Sequence, residues 1–222
     1  MKVSHRFVII TAIFVTCLIT ANIVGVKLFR LTGSVSLPAA VILFPLSYIF
    51  GDILTEVYGY KPARRVIWLG FLCNLIFVVV ATIGRFLPPA PGWGWQEAYE
   101  TILGYTPRLL VASFAGYLAG EFANSFVLAK MKILTRGRWL WTRTISSTVV
   151  GQGLDTAIFI PVAYFGEPFF TPMIILYHWL AKVLIETVFT PVTYTIVSYL
   201  KKKEAIDTYD YETNFNPFSV SD

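Results

Sequence analysis

Charge is scarce in this chain. Asp, Glu, Lys and Arg make up 14% of its 222 residues, against about a quarter in an ordinary soluble domain. With 56% hydrophobic residues, that shortage rules out the water-facing surface of a soluble fold. Cysteine is nearly absent: Cys17 and Cys73 each fall inside an apolar segment, which supports neither a disulfide framework nor a Cys-based zinc site. Only two His are present, so paired metal ligands are lacking, and no metal, cofactor or enzymatic activity is expected. The net charge of +5 does not imply nucleic acid as a partner. The Lys and Arg stand in short clusters between apolar blocks, where they act as topology signals.

The apolar blocks cover about 7–29, 37–56, 63–86, 108–131, 144–165 and 172–200. Each can span a hydrocarbon core of about 30 Å at 1.5 Å rise per residue. The first is too long for a signal peptide and lacks a small-residue cleavage site. The expectation is an all-α integral membrane protein with six transmembrane helices in residues 1–200. Residues 201–222 are polar and without apolar period, which reads as a disordered cytoplasmic tail. With the N-terminus placed in the cytoplasm, 13 of the 18 Lys and Arg fall in cytoplasmic segments and 4 in outer ones, and by the positive-inside rule this asymmetry puts both termini in the cytoplasm. The loop 87–107 places Trp93 and Trp95 at headgroup level.

An ionisable side chain at the bilayer centre costs roughly 2.5–3.5 kcal/mol on insertion scales, so each needs a partner or a wet cavity. Asp155 lies roughly 16 Å from the inner end of the fifth span and Lys182 roughly 15 Å from the outer end of the sixth. A buried acid and base at one depth point to a substrate or coupling site. Glu186 stands one turn beyond Lys182 and could instead pair with it. Gln152 shares a face with Asp155, Asn22 lies in the outer part of the first span, and Glu121 and Asn124 lie in the inner half of the fourth. The amides could equally join helices by hydrogen bonds. His178, between Tyr177 and Trp179, reads as an interfacial anchor.

The run Asp52-Ile-Leu-Thr-Glu56-Val-Tyr-Gly-Tyr60 closes the second span at the cytoplasmic mouth, followed by Lys61, Arg64 and Arg65. Its carboxylates share a helix face. It is either a salt-bridged hairpin or a gate, and physics alone does not choose.

These residues carry a resemblance. Asn22 with Lys27, Phe44-Pro45-Leu46, the DILTEVYGY run with Ala63-Arg64-Arg65, Ser146-Ser147-Thr148, Gly151-Gln152, Asp155-Thr156, Lys182, Glu186 and Pro191 resemble the queuosine precursor transporters, or vitamin uptake transporter family. The resemblance implies a six-helix fold similar to the substrate-binding components of energy-coupling-factor vitamin transporters. It also implies uptake of 7-deazaguanine bases across the bacterial inner membrane for tRNA modification. A guanine-like base offers a ring N–H and an amino group side by side, which one carboxylate accepts in bidentate fashion. Asp155 is the first candidate and Glu186 the second, with Asn22 and Gln152 on the remaining edge, Phe44 and Tyr48 stacking, and Lys182 orienting the acid. Asp52, Glu56, Arg64, Arg65, Glu121 and Asn124 are assigned to gating or structure near the cytoplasmic mouth.

Two other readings stand beside this one. The chain could capture another vitamin for an ATPase module, docking through Ala112, Ala115, Gly116, Ala119 and Gly120, a small-residue face that would also allow a homodimer. It could also be a structural membrane protein whose buried ion pairs merely hold helices together.

Overall fold

A computed structural model describes residues 4–32, 35–104, 107–166 and 170–219. Helix α1 (His5–Val24) begins at Ser4, whose hydroxyl accepts the Phe7 N–H at 3.1 Å, a standard N-cap. Strands β1 (Leu28–Thr32) and β2 (Val35–Pro38) form an antiparallel hairpin with Leu28 opposite Pro38. A 3-10 turn (Ala39–Ile42) leads into α2 (Phe44–Ile53), which widens into a π-helical turn over Leu54–Tyr58. Then follow α3 (Tyr60–Phe86), the short α4 (Gln96–Leu103), α5 (Pro107–Leu134), α6 (Leu140–Tyr164) and α7 (Pro172–Glu204). The sequence reading took 37–56 as one continuous span. Regular α-helix begins only at Phe44, where proline in the first turn loses no helical hydrogen bond.

Among the described residues, five helical segments are long and apolar enough to cross a membrane: His5–Val24, Ala39–Tyr58, Tyr60–Phe86, Leu140–Tyr164 and Pro172–Glu204. The 28-residue α5 has the length, but Glu121 and Asn124 dilute its hydropathy. Apolar side chains point outward in helical stripes, such as Leu72, Ile76, Val80 and Ile83 on α3 and Leu184, Val188 and Val192 on α7. Polar ones turn inward: Asp52, Glu56, Glu121, Asn124, Gln152, Asp155, Lys182 and Glu186 are all buried. This is the arrangement that hydrocarbon surroundings favour.

Helices α5 and α6 cross closely because glycines meet. A Cβ on Gly120 would stand 3.0 Å from the Gly151 carbonyl oxygen, and one on Gly151 would stand 2.9 Å from that of Gly120. The small-residue face offered above for a partner is therefore largely occupied from within: Gly116 and Gly120 pack on α6, and Ala112 is wholly buried.

The C-terminal segment, expected from sequence as a disordered tail, makes contacts with the bundle in this structure. Residues 205–219 fold back over the α2–α3 junction. Arg64 donates to the carbonyls of Asn214 and Asn216 at 3.0 and 2.8 Å, Trp68 Nε1 donates to that of Pro217 at 2.8 Å, and Tyr60 Oη donates to that of Phe215 at 3.0 Å. The Asp210 carboxylate accepts the Tyr60 N–H at 3.0 Å, capping α3 from a distant part of the chain. Phe215 packs on Tyr60 and Phe126, and Phe218 on Trp68. Two aromatic anchors inside a polar stretch are too sparse to register as an apolar period. Gly59 is required here, since its φ of +90° disfavours any side chain and a Cβ would meet Thr208 Cγ2 at 2.7 Å.

Asp207 lies between Lys132 at 2.6 Å and Lys201 at 2.8 Å. Partial burial pushes its carboxyl up, but hydrogen bonds and charge from the two lysines outweigh this and hold it below its ordinary value. Its contribution to docking is therefore complete above the unfolded value of about 3.9 and fades only as pH falls through the lower folded one. Asp210→Ala should cost about 1 kcal/mol and make residues 205–219 the first site of limited proteolysis. Wild-type protection should persist through mildly acid pH.

Candidate functional site

A cavity of about 280 Å³ opens between α1, α3, α5, α6 and α7, at the end of the bundle nearer the β-hairpin and α4. It lies near the small end of the roughly 300–1,000 Å³ usual for small-molecule sites. Its wall is largely apolar and aromatic, with Leu18, Phe114, Tyr117, Phe159 and Tyr164. A few polar groups converge on it: Asn22, Asn74, Ser113, Asp155, His178 and Lys182. Asn22 donates to Asn74 Oδ1 at 2.8 Å and accepts from Ser113 at 3.4 Å, which ties α1, α3 and α5 together at one height.

Asp155 and Lys182 form an ion pair between α6 and α7, in which Lys182 Nζ donates to Asp155 Oδ2. The pair is buried and lines the cavity. Gly116 makes room for it, because a Cβ there would stand 2.8 Å from Asp155 Oδ1. Lys182 thus pairs across helices with Asp155, whereas Glu186, one turn on, receives the Thr148 hydroxyl. The i,i+4 pairing considered from sequence gives way to a contact that joins two helices.

Below the cavity lies a second, fully buried polar layer. Tyr48 does not stack on the cavity; its hydroxyl fills the space left by the missing side chain of Gly120. Gln152 and Glu186 sit in the same layer, and neither lines the cavity. Asn124 Nδ2 donates to Asp52 Oδ1 at 2.7 Å. Glu121 is fully buried and neither of its carboxyl oxygens has a hydrogen-bond partner. Asp52, Glu121 and Asn124 are therefore buried within the bundle. The side chain of Phe44 lies outside the described residues.

A third layer closes the end of the bundle rich in Lys and Arg. Glu56 accepts from Arg143 at 2.7 Å and Lys201 at 2.6 Å, with Lys132 at 3.6 Å. One carboxylate holds α5, α6 and α7 together beneath the end of α2. Arg64 holds the C-terminal segment, and Arg65 is exposed. In DILTEVYGY, Glu56 thus locks α5, α6 and α7 together, while Arg64 of the following basic cluster binds the C-terminal segment.

The sequence reading missed several wall residues. Asn74 and Ser113 are ordinary polar residues inside apolar blocks, and the same scan for intramembrane amides that found Asn22 could have found Asn74. Phe114 and Phe159 carry no signal that separates cavity lining from lipid contact. His178, read as an interfacial anchor, lines the cavity.

Residues 38–196 match a family profile described as "Putative vitamin uptake transporter". The chain belongs to the vitamin uptake transporter family. It is 33% identical over 144 residues to a protein of Bacillus subtilis named "Probable queuosine precursor transporter", covering 64% of this chain and 60% of that protein. A Haemophilus influenzae protein of the same name is 25% identical, covering 61% of this chain and 54% of that protein. The "Queuosine precursor transporter" of Escherichia coli is 24% identical, covering 71% of this chain and 66% of its own length. The matches thus span somewhat less than two thirds of these relatives. No solved structure matches the chain. Family and apolar helices together make this a multi-pass membrane protein.

Removing one partner of a buried ion pair costs about 3–5 kcal/mol, while replacing both with apolar groups is often neutral. Asp155→Leu and Lys182→Met should each sharply lower thermal stability in detergent, and the double variant should recover most of the loss.

Proposed function

We propose that the chain imports a 7-deazaguanine precursor of queuosine, in its cyano or aminomethyl form, across the bacterial inner membrane. Six helices (α1, α2 with its π turn, α3, α5, α6 and α7) cross the bilayer, with both chain ends in the cytoplasm. The cavity is then entered from the outside, and no covalent chemistry occurs. The observation that carries this reading is the buried Asp155–Lys182 pair set in an aromatic-walled cavity of about 280 Å³, in a chain whose relatives are named for this class of substrate.

The chemistry is complementary. A flat ring fits between Phe114, Phe159 and Tyr164, and Asn22, Asn74 and Ser113 offer donors and acceptors to its edge. The ring N–H and amino group of the base present two donors to the Asp155 carboxylate in place of the Lys182 ammonium. Binding then loosens the link between α6 and α7, and the Glu56 lock with the overlying C-terminal segment is what opens toward the cytoplasm.

The structural reading makes the opposite prediction for one variant. If the pair only holds helices together, Asp155→Leu with Lys182→Met restores function along with stability. For an importer the double variant stays folded and fails to transport, because a charge-assisted hydrogen bond contributes about 1.5–3 kcal/mol, or roughly ten- to a hundredfold. Queuosine in tRNA should be measured in cells unable to make the base, supplied with each precursor at low concentration. Wild-type chain should restore modification and the double variant should not. Failure of the wild-type chain with both precursors would overturn the reading.

A further inference from the structure

Four carboxyl groups from four helices converge in the bundle interior: Asp52 on α2, Glu121 on α5, Asp155 on α6 and Glu186 on α7, all buried. Only Asp155 has a cationic partner among the described residues, Lys182. Asp52 is held by the Asn124 amide and Glu186 by the Thr148 hydroxyl. Glu121 has neither kind of support, and both its oxygens lack a hydrogen-bond donor.

The groups packed around Glu121 are neutral or acidic, apart from Lys182 of α7, which is committed to Asp155. From α2 come the Gly51 backbone, whose Cβ position lies 3.0 Å from Glu121 Oε2, with Asp52 and Tyr48. From α6 comes Asp155 and from α7 Glu186. From α1 comes Phe14, and along α5 itself Tyr117, whose hydroxyl is committed to the Ile67 carbonyl of α3 at 2.8 Å, and Asn124. An ionised carboxylate in such a place carries a large desolvation penalty with no hydrogen bond to offset it. A neutral carboxyl carries only that of a polar group. Glu121 also lies one turn below Tyr117, which lines the cavity, and beside Gly120, where a Cβ would stand 2.8 Å from that of Asp155. It stands between Asp52 on one side and the cavity-lining Tyr117 and Asp155 on the other.

We infer that Glu121 is a proton-binding site, and that the protein carries one proton inward with each base it imports. This rests on the import reading above. Glu121 accepts a proton from the cavity side to become the neutral acid, and releases it as a carboxylate when the bundle opens to the other side. No bond to the substrate forms or breaks, and the membrane proton gradient supplies the driving force.

Two measurements on the full chain test this. Infrared spectra at neutral pH should show a protonated-carboxyl C=O stretch that is lost in Glu121→Gln, a variant that keeps the size and neutrality of the acid. Identical spectra would overturn the proton site. In liposomes with a trapped pH dye, adding 7-cyano- or 7-aminomethyl-7-deazaguanine should acidify the interior. Glu121→Gln should cut that acidification at least tenfold while still exchanging labelled base for unlabelled base. Base uptake by the wild type with no proton entry would overturn the coupling and leave the import reading intact. Absence of base uptake would overturn import and with it coupled movement, and the infrared difference would still decide whether Glu121 holds a proton.

Discussion

An ion without a partner is costly in a medium that cannot hydrate it, and the placement of nearly every polar side chain here follows from that constraint. The outward faces of α3 and α7 are aliphatic stripes, so charges can reside only in the bundle interior or at its ends. Within the interior they are graded. At the basic end a single carboxylate, Glu56, faces Arg143, Lys201 and Lys132. At the cavity the balance is one to one, Asp155 with Lys182. Between these layers, Asp52, Glu121 and Glu186 have no cation among the described residues. The excess of positive charge at one end and of acid in the middle makes the intermediate layer the place where added positive charge is best accommodated.

Glycine and the π turn make that layering possible. Gly116 and Gly120 let α6 approach α5 closely enough for Asp155 to reach inward past the backbone, and Tyr48 uses the same gap from α2. The π turn at Leu54–Tyr58 widens the end of α2, and Glu56 sits in it. Wider turns of this kind recur at functional positions because they redirect side chains without ending the helix. The left-handed Gly59 then turns the chain sharply into α3, and Asp210 supplies from the C-terminal segment the acceptor that the first turn of α3 lacks locally.

The apolar blocks, their approximate ends and the depth of the charged residues were legible in the sequence because each depends on local composition and a fixed rise per residue. That Asp155 and Lys182 lie at one height follows from such counting. Which acid Lys182 selects does not, because Asp155 and Glu186 are both within reach and the choice depends on how α6 and α7 are rotated about their axes. The same limit hid the inward position of Glu121 and Asp52. A helix that is apolar nearly all round gives little indication of which face meets its neighbours. The docked C-terminal segment was illegible for another reason: its anchors are backbone carbonyls taken by Arg64 and Trp68, and carbonyls are common to every residue.

The choice of Asp155 over Glu186 as the partner of Lys182 bears on how cavity and core communicate. A pair within α7 would be indifferent to movement between helices, whereas the observed pair spans α6 and α7 and senses their separation. If a base takes the place of Lys182 at Asp155, Glu186 stands one helical turn from the freed ammonium on the same face. Thr148 now holds that acid from α6, so a lysine that moved one turn along α7 would exchange one inter-helix contact for another. Occupancy of the chamber would thereby alter the charge balance around Asp52 and Glu121 without any large displacement of the backbone. A single cation shared among four buried acids can link substrate binding in one layer to protonation in the next.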